Sequence, residues 1–159
     1  MASVKRMFRR CRAEDGAQLV EFALVLPLLL LVVLGIAEFG FLFQRYEVVT
    51  NAAREGARMA VLPGYASALG QAAVRTRVQA YVAAGRVPVA TGTPGNPAVN
   101  LADATVDVGG GLAPVNVKRV TVTYTHTYMF ISGIARLFGA EYTTVPLTAV
   151  AEMRTEAGS

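Results

Sequence analysis

The sequence predicts an α+β protein in which a long N-terminal helix precedes a shorter helix and a small antiparallel sheet. Three observations lead to this fold class. A long apolar run lies near the N-terminus, apolar residues at intervals of three and four follow it, and strict alternation begins at about residue 104. Intervals of three and four indicate a helix, and an interval of two indicates a strand.

Composition narrows the possible functions. Of the 159 residues, 53% are hydrophobic and 16% are charged, whereas soluble domains carry roughly 25% charged residues. The single cysteine, Cys11, excludes an internal disulfide and a thiolate cluster for zinc or iron–sulfur, and the single histidine, His126, excludes a metal site with two histidines. We therefore expect no cofactor, no metal and no small-molecule ligand. The formal net charge of +4 is too small to indicate a nucleic-acid partner.

The apolar run at residues 17–43 predicts a transmembrane helix. It is interrupted only by Glu21 and Glu38, and roughly 20 residues are enough to cross a hydrocarbon core about 30 Å thick. A buried core helix of a soluble protein is the alternative, which the continuity of the run disfavours. Residues 44–159 would then be periplasmic, because a basic cluster before the span favours a cytoplasmic N-terminus: Lys5, Arg6, Arg9, Arg10 and Arg12.

Glu21 is the unusual residue of this span. A carboxylate inside an apolar helix is costly to desolvate, and charges in membranes usually have a partner. At the level of the lipid headgroups, Glu21 would need none. If the chain is instead cut after Gly16, a new α-amino group appears at Ala17, and it could pair with the Glu21 carboxylate of a neighbouring subunit. Such a pair would also set the axial stagger between subunits.

This order of residues resembles the class III signal of type IV prepilins. A basic leader is followed by Gly16, four residues, Glu21, the aromatic Phe22 and a long apolar helix. The string GAQLVEFALVLP at residues 16–27 is similar to the TadE-like pseudopilins of the tight adherence (Tad) pilus machinery. Two further strings resemble the same family: NAAREGAR at residues 51–58 and LTAVAEMR at residues 147–154.

The resemblance implies a pilin-like fold and a role in assembly. Members of the family are cut after the glycine by a membrane aspartyl prepilin peptidase, which maps here to the bond between Gly16 and Ala17. Residues 1–16 would then be a leader, and Glu21 and Phe22 carry the positions that act in processing and assembly. The implied partners are the prepilin peptidase and other pilins or pseudopilins of the Tad system, in the bacterial inner membrane or in a surface pilus.

Beyond the membrane, the helix is expected to continue as a stalk over residues 44–62, where Pro63-Gly64 stops it. A single helix from about residue 17 to residue 62 would be roughly 70 Å long, bent near Pro27 by the missing backbone donor. One face is expected to lie against the head, because apolar or small residues recur along it at helical intervals: Phe39, Leu42, Phe43, Tyr46, Val49, Ala53, Ala57 and Ala60.

Within the stalk, two groups of residues have more than one interpretation. A strip of small residues, which includes Gly56, lets another backbone approach closely. That backbone belongs either to a partner subunit or, as we favour, to the protein's own sheet. Arg54 and Arg58 lie one turn apart and indicate either a solvated face or a dock for an acidic partner. Arg54, Gly56 and Arg58 are therefore the candidate partner contacts.

A second helix and a loop are predicted next. Residues 67–84 show a helical apolar face, with Ser67 as a plausible N-cap and Gly85 as a plausible stop. Residues 86–103 contain several Pro and Gly residues and predict a loop with brief extended pieces.

Alternation over residues 104–154 predicts a sheet of about three antiparallel strands. Because the valines on the two sides of Lys118 have opposite parity, we expect a bulge or a strand break near that residue. Pro146 suits an edge strand or the start of a strand. Residues 129–138 form either a short helix or an exposed loop. Met129, Phe130 and Ile131 indicate a partner-binding patch or, as we favour, core packing.

The sequence gives little support for a catalytic role of any residue. His126 lies at the end of a predicted strand with no second histidine. Asp103 and Asp107 lie at a loop-to-strand boundary and do not form a convincing acid–base pair. The glycines at residues 109–111 lack the lysine and helix of a phosphate loop and predict a hairpin turn.

Three functions remain open from the sequence. The chain could be a minor pseudopilin of a Tad pilus, acting in assembly or adhesion. It could be an uncleaved single-span anchor whose periplasmic domain scaffolds another envelope complex. It could also be a membrane-tethered periplasmic enzyme, for which the sequence shows no catalytic group. We expect the first function and no enzymatic activity.

Overall fold

The structure is a computed structural model that describes residues 2–85, 87, 97–110, 113–130, 132–133, 139 and 144–155, with side chains from residue 16 onward. Two helices precede three strands: α1 (Ala2–Ala60), α2 (Ala68–Ala84), β1 (Ala98–Val106), β2 (Val115–Thr127) and β3 (Thr144–Arg154). The predicted α+β class, with a long N-terminal helix and a small antiparallel sheet, is confirmed.

The first helix is continuous over 59 residues, which corresponds to about 90 Å at the standard helical rise. Pro27 lies inside it, and the helix continues on both sides of the missing donor. The helix ends at Ala60, two residues before the predicted end. In the turn that follows, Gly64 has a φ of 93°. Side chains disfavour this left-handed region, so the turn requires a glycine.

The second helix confirms the predicted segment and its N-cap. The Ser67 hydroxyl accepts a hydrogen bond of 3.1 Å from the Gly70 N–H, which satisfies one of the amides that the first turn leaves free. Val74, Val78 and Val82 recur every fourth residue and are buried. This valine face packs against α1.

The three strands form one antiparallel sheet in the order β1-β2-β3. Lys118 of β2 pairs with Asp103 of β1 and with Met153 of β3, and the pairing continues residue by residue on both sides of it. The predicted bulge or break near Lys118 is therefore wrong. Successive side chains point to opposite faces of a strand, so Val117 and Val120 lie on opposite faces of β2, and Val120 packs on the helices.

The prediction of a loop over residues 86–103 is wrong for residues 98–103, because β1 begins at Ala98. Val99 and Leu101 turn inward and pack against the core. β2, with 13 residues, is long enough to pair with all of this strand. Residues 86 and 88–96, and most of the predicted segment 129–138, lie outside the described residues. Pro146 lies in β3, which is an edge strand as predicted.

The core lies between the second half of α1, the valine face of α2 and the inner face of the sheet. Small residues of α1 allow close approach: a Cβ added to Gly56 would lie 2.6 Å from Val78 Cγ2 and 3.2 Å from Val120 Cγ1. The strip of small residues therefore packs within the protein, which was the favoured interpretation. Fully burying a valine side chain contributes roughly 1.5–3 kcal/mol to stability. Besides the valines already named, the buried hydrophobic residues of the core include Val49, Ala52, Ala53, Ala57, Ala60, Val122, Tyr124 and Ala149.

Replacing Gly56 with alanine is expected to destabilise the head. The added methyl group overlaps Val78, and overpacking of this kind typically costs about 1–3 kcal/mol, against a gain of roughly 1 kcal/mol from helix propensity. Gly40→Ala is the matched control, because a Cβ there meets nothing within 4 Å. Thermal unfolding of the full chain in detergent micelles measures both variants. A Gly56→Ala protein that melts at or above the temperature of Gly40→Ala would contradict this packing.

Candidate functional site

The first half of α1 extends from the head as a free apolar rod. From Gly16 the helix is long and apolar enough to cross a membrane, and none of its most apolar stretch is buried inside the protein. The exposed side chains lie on all sides of the rod, as expected for a helix surrounded by an apolar environment: Leu19, Val20, Phe22, Leu24, Val25, Leu26, Leu28, Leu29, Leu30, Leu31, Val32, Val33 and Ile36.

The predicted processing residues lie at the beginning of this rod. Gly16, Ala17, Glu21 and Phe22 are all within α1, and a Cβ added to Gly16 would meet nothing within 4 Å. Glu21 is exposed, and it makes no hydrogen bond or ion pair with the side chains that the structure describes. A carboxylate presented in this way on an apolar helix is available to a group from another chain.

A second site lies where the rod meets the head, and it was not predicted. Glu38 is 1% exposed. Its Oε1 accepts a hydrogen bond of 2.8 Å from the Met129 N–H, and its Oε2 accepts one of 2.7 Å from the Phe130 N–H. Both amides follow the end of β2, so the Glu38 carboxylate ties that end of the sheet to α1.

His126 completes this site from β2 and is fully buried. An Arg45 guanidinium nitrogen contacts His126 Nδ1 and lies 3.4 Å from the Thr127 carbonyl oxygen. Arginine can only donate, so Nδ1 accepts and the proton of the neutral imidazole is on Nε2, which lies 3.6 Å from Glu38 Oε1. We name Glu38, Arg45, His126 and the amides of Met129 and Phe130 the docking cluster.

Burial and the nearby Arg45 charge favour the neutral form of His126. Burial lowers the pKa of His126 below its usual value, and the Arg45 guanidinium lowers it further, while the Glu38 carboxylate acts in the opposite direction. The Tyr128 ring packs edge-on against the imidazole, with ring centroids 5.2 Å apart. Protonation would also convert Nδ1 into a donor and remove the acceptor that Arg45 uses.

The docking cluster changes the predicted face of the stalk. Phe39, Phe43 and Tyr46 were expected to face the head, but they are exposed. The face that meets the head instead follows Glu38 and Arg45 in phase with buried Val49. Sequence reasoning left charged residues out of the packed face. The signal that could have found the pair is its spacing of seven, which places both side chains on one helix face two turns apart.

The three candidate partner contacts fall into different environments. Gly56 is buried between α2 and β2, which agrees with the favoured interpretation that it packs within the protein and not with the alternative of a partner contact. Arg54 is exposed. Arg58 donates from Nε to Glu55 Oε2 at 3.1 Å, and Arg77 lies 3.7 Å from the same carboxylate. The hydrogen bond from Arg58 holds the pKa of Glu55 below its usual value. Arg54 and Arg58 thus remain on the surface of the head.

The remaining polar candidates make structural contacts. Asp103 of β1 forms an ion pair with Lys118 of β2. The Asp107 carboxylate accepts a hydrogen bond of 2.9 Å from the Gly109 N–H in the turn between β1 and β2, which is the predicted hairpin. Among the described residues, no three His, Cys, Asp or Glu side chains are grouped as a metal site would require. A cleft of about 800 Å³ lies beside Lys118 at the far end of the head.

Glu38→Gln is expected to weaken the contact between α1 and the end of β2. One carboxylate oxygen is replaced by an NH₂ group that faces a backbone N–H, and leaving a buried donor without an acceptor costs about 1–3 kcal/mol. Hydrogen exchange at the Met129 and Phe130 amides should accelerate. Glu47→Gln, on the exposed side of the same helix, is the control. Unchanged protection of both amides in Glu38→Gln would show that the carboxylate does not hold them.

The head is expected to lose stability as the solution is acidified through the ordinary imidazole pKa of about 6.5. The folded-state pKa of His126 is lowered, so the unfolded chain takes up a proton first, and the free energy of unfolding falls as pH falls. Melting temperatures of the full chain at about pH 7.5 and about pH 5.5 measure this loss. His126→Gln should melt lower at both values but with a smaller difference. An equal difference in the two proteins would exclude His126 as its source.

Comparison with known proteins finds a family match over one segment of the chain, which includes the rod and the two docking-cluster residues of α1, Glu38 and Arg45. No curated protein and no solved structure matches the chain. The model of the TadE-like protein family matches residues 16–58, which begin at Gly16 and include Glu21, Glu38 and Arg45. The resemblance to the TadE-like family drawn from the sequence is confirmed over this segment.

Proposed function

We propose that this chain is a minor pseudopilin of a Tad-type pilus or secretion system. The observation that carries the proposal is the TadE-like match over residues 16–58, which covers the free apolar rod together with Gly16, Glu21 and Phe22 at its beginning. The chain would act in pilus assembly or adhesion with other pilins or pseudopilins, without catalysing a reaction.

In this proposal the chain is a single-pass protein of the bacterial inner membrane. The rod supplies the span, and basic residues before it keep the N-terminus in the cytoplasm. The head would then be periplasmic. The prepilin peptidase cuts after Gly16, which removes the leader together with Cys11. The mature chain then contains no cysteine, so an oxidising compartment would not affect it.

Glu21 would act in assembly once the leader is removed. Its carboxylate is exposed on the rod. The new α-amino group of Ala17 in a neighbouring subunit would supply a cation with which this carboxylate can form an ion pair. Two charges that are each costly in lipid become less so when paired. The pair would also align the rods of adjacent subunits along their axes.

Gly16→Val is expected to block processing and leave the precursor in the membrane. The side chain is placed at the residue before the cut bond, where the peptidase must bind. Gly35→Val is the matched control, because a Cβ at either glycine meets nothing within 4 Å in the folded chain. Mass spectrometry of the membrane-extracted proteins distinguishes the two. A Gly16→Val protein that begins at Ala17 would contradict the cleavage site, and a wild-type protein that retains residues 1–16 would favour the uncleaved anchor.

Glu21→Ala is expected to leave membrane insertion intact while reducing co-assembly. The apolar rod becomes more apolar, so insertion has no added cost, but the partner of the neighbouring α-amino group is lost. Co-purification with tagged pilins of the same system measures assembly. Glu47→Ala, exposed on the same helix but outside the rod, is the control. Equal recovery of partners by both variants would remove the ion pair from the proposal.

A further inference from the structure

An exposed apolar collar surrounds α1 at the level of the docking cluster. It consists of Phe39, Phe41, Phe43 and Met129, which are 69%, 41%, 63% and 60% exposed. The first three belong to α1, and Met129 belongs to the head. Glu38, the charged residue among positions 37–43, is buried, so the collar presents no charge to its surroundings.

The head is held in contact with this part of the helix. Glu38 Oε1 accepts the hydrogen bond from the Met129 N–H, which fixes Met129 at the height of Glu38 on α1. Tyr128 and Phe39 line the same small cavity beside Glu38. Apolar side chains from the head and from the helix therefore form one continuous surface.

The position of the collar along the rod corresponds to the membrane boundary. From Ala17 to Glu38 the helix rises roughly 32 Å, which is about the 30 Å thickness of the hydrocarbon core. The headgroup regions extend the bilayer to about 40–45 Å. The collar then lies at the boundary between acyl chains and headgroups on the far side, into which apolar protein surfaces that contain phenylalanine insert by about 5–10 Å.

The distribution of the collar around the helix distinguishes lipid from a partner helix. At 100° per residue, Phe39 and Phe41 point in directions about 200° apart, on opposite flanks of the face that meets the head. A partner helix would cover one flank, whereas lipid covers both flanks and the underside of the head.

We propose that the head rests on the membrane, with the collar inserted into the lipid headgroup layer. The partner of this surface is therefore the bilayer itself. The inference rests on the proposed transmembrane rod, but it goes beyond it, because a rod could span the membrane while the head stood clear of the lipid. The docking cluster then has a further role, since it withdraws the Glu38 charge from the layer that the collar enters.

Quenching of site-specific probes by spin-labelled lipids tests the contact. In the full chain with Cys11→Ser, single cysteines replace Met129, Val32 and Leu69, and each is labelled with an environment-sensitive fluorophore. Vesicles of phosphatidylethanolamine and phosphatidylglycerol carry the spin label either near the headgroup or deep in the acyl chain. Met129→Cys keeps the N–H that Glu38 accepts. Leu69, exposed on α2 at the far end of the head, is the matched control.

We expect several-fold stronger quenching at Met129→Cys than at Leu69→Cys with the shallow label, and quenching of Val32→Cys with the deep label. Quenching at Val32→Cys, with Met129→Cys equal to Leu69→Cys, would overturn the lipid contact while leaving the rod in the membrane. No quenching at either Val32→Cys or Met129→Cys would overturn the proposed span as well. Fluorophore self-quenching at Met129→Cys without lipid quenching would assign the collar to a second copy and also overturn the proposal.

Discussion

A carboxylate buried at the end of the apolar stretch of a helix must find its hydrogen-bond donors within the protein, because neither lipid nor packed hydrocarbon replaces its hydration. Glu38 meets this constraint with two backbone amides that follow β2. Hydrogen bonds to a charged group are among the stronger contacts of a folded chain. The height of the head on α1 follows from them, since the end of β2 can be satisfied at only one turn of the helix.

The apolar part of the same interface has less power to select one register. α1 presents small residues at repeated intervals of four, and such a surface is nearly unchanged by a shift of one turn. Directional contacts of Glu38 and Arg45 break this repetition, because a shifted helix would leave the buried carboxylate and the imidazole of His126 without their partners. The close approach at Gly56 acts in the same direction, since Val78 and Val120 fit against a residue without a side chain. Polar contacts thus select the register, and apolar contacts supply most of the stabilisation.

Much of the fold could be predicted from local pattern. Continuity of the apolar run predicted α1, and Ser67 marked the start of α2, because both are properties of a short stretch of chain. The failures have a common cause in long-range pairing. Residues 98–103 have weak strand signals of their own and become a strand because β2 is available to pair with them. A bulge near Lys118 was inferred by assuming that valines mark a single face, whereas β2 carries valines on both.

The site was predicted unevenly for the same reason. Gly16, Glu21 and Phe22 lie close together in one segment of the chain, so the sequence alone was enough to name them as candidates for processing and assembly. Glu38, Arg45 and His126 lie far apart along the chain, and each is ambiguous alone: a charge that interrupts a span, a charge on a stalk and a single histidine. Their common position appears only when the sheet is folded against α1, with His126 on the inner face of β2.

The attachment of the head along α1 from Glu38 to Ala60 has a mechanical consequence. Tension applied between the head and the rod would act parallel to this interface, so that the contacts along roughly 33 Å of helix are loaded in shear and resist together. An attachment at a single loop would instead peel open one contact at a time. A head attached along the helix in this way can transmit a pulling force to the rod without first unfolding.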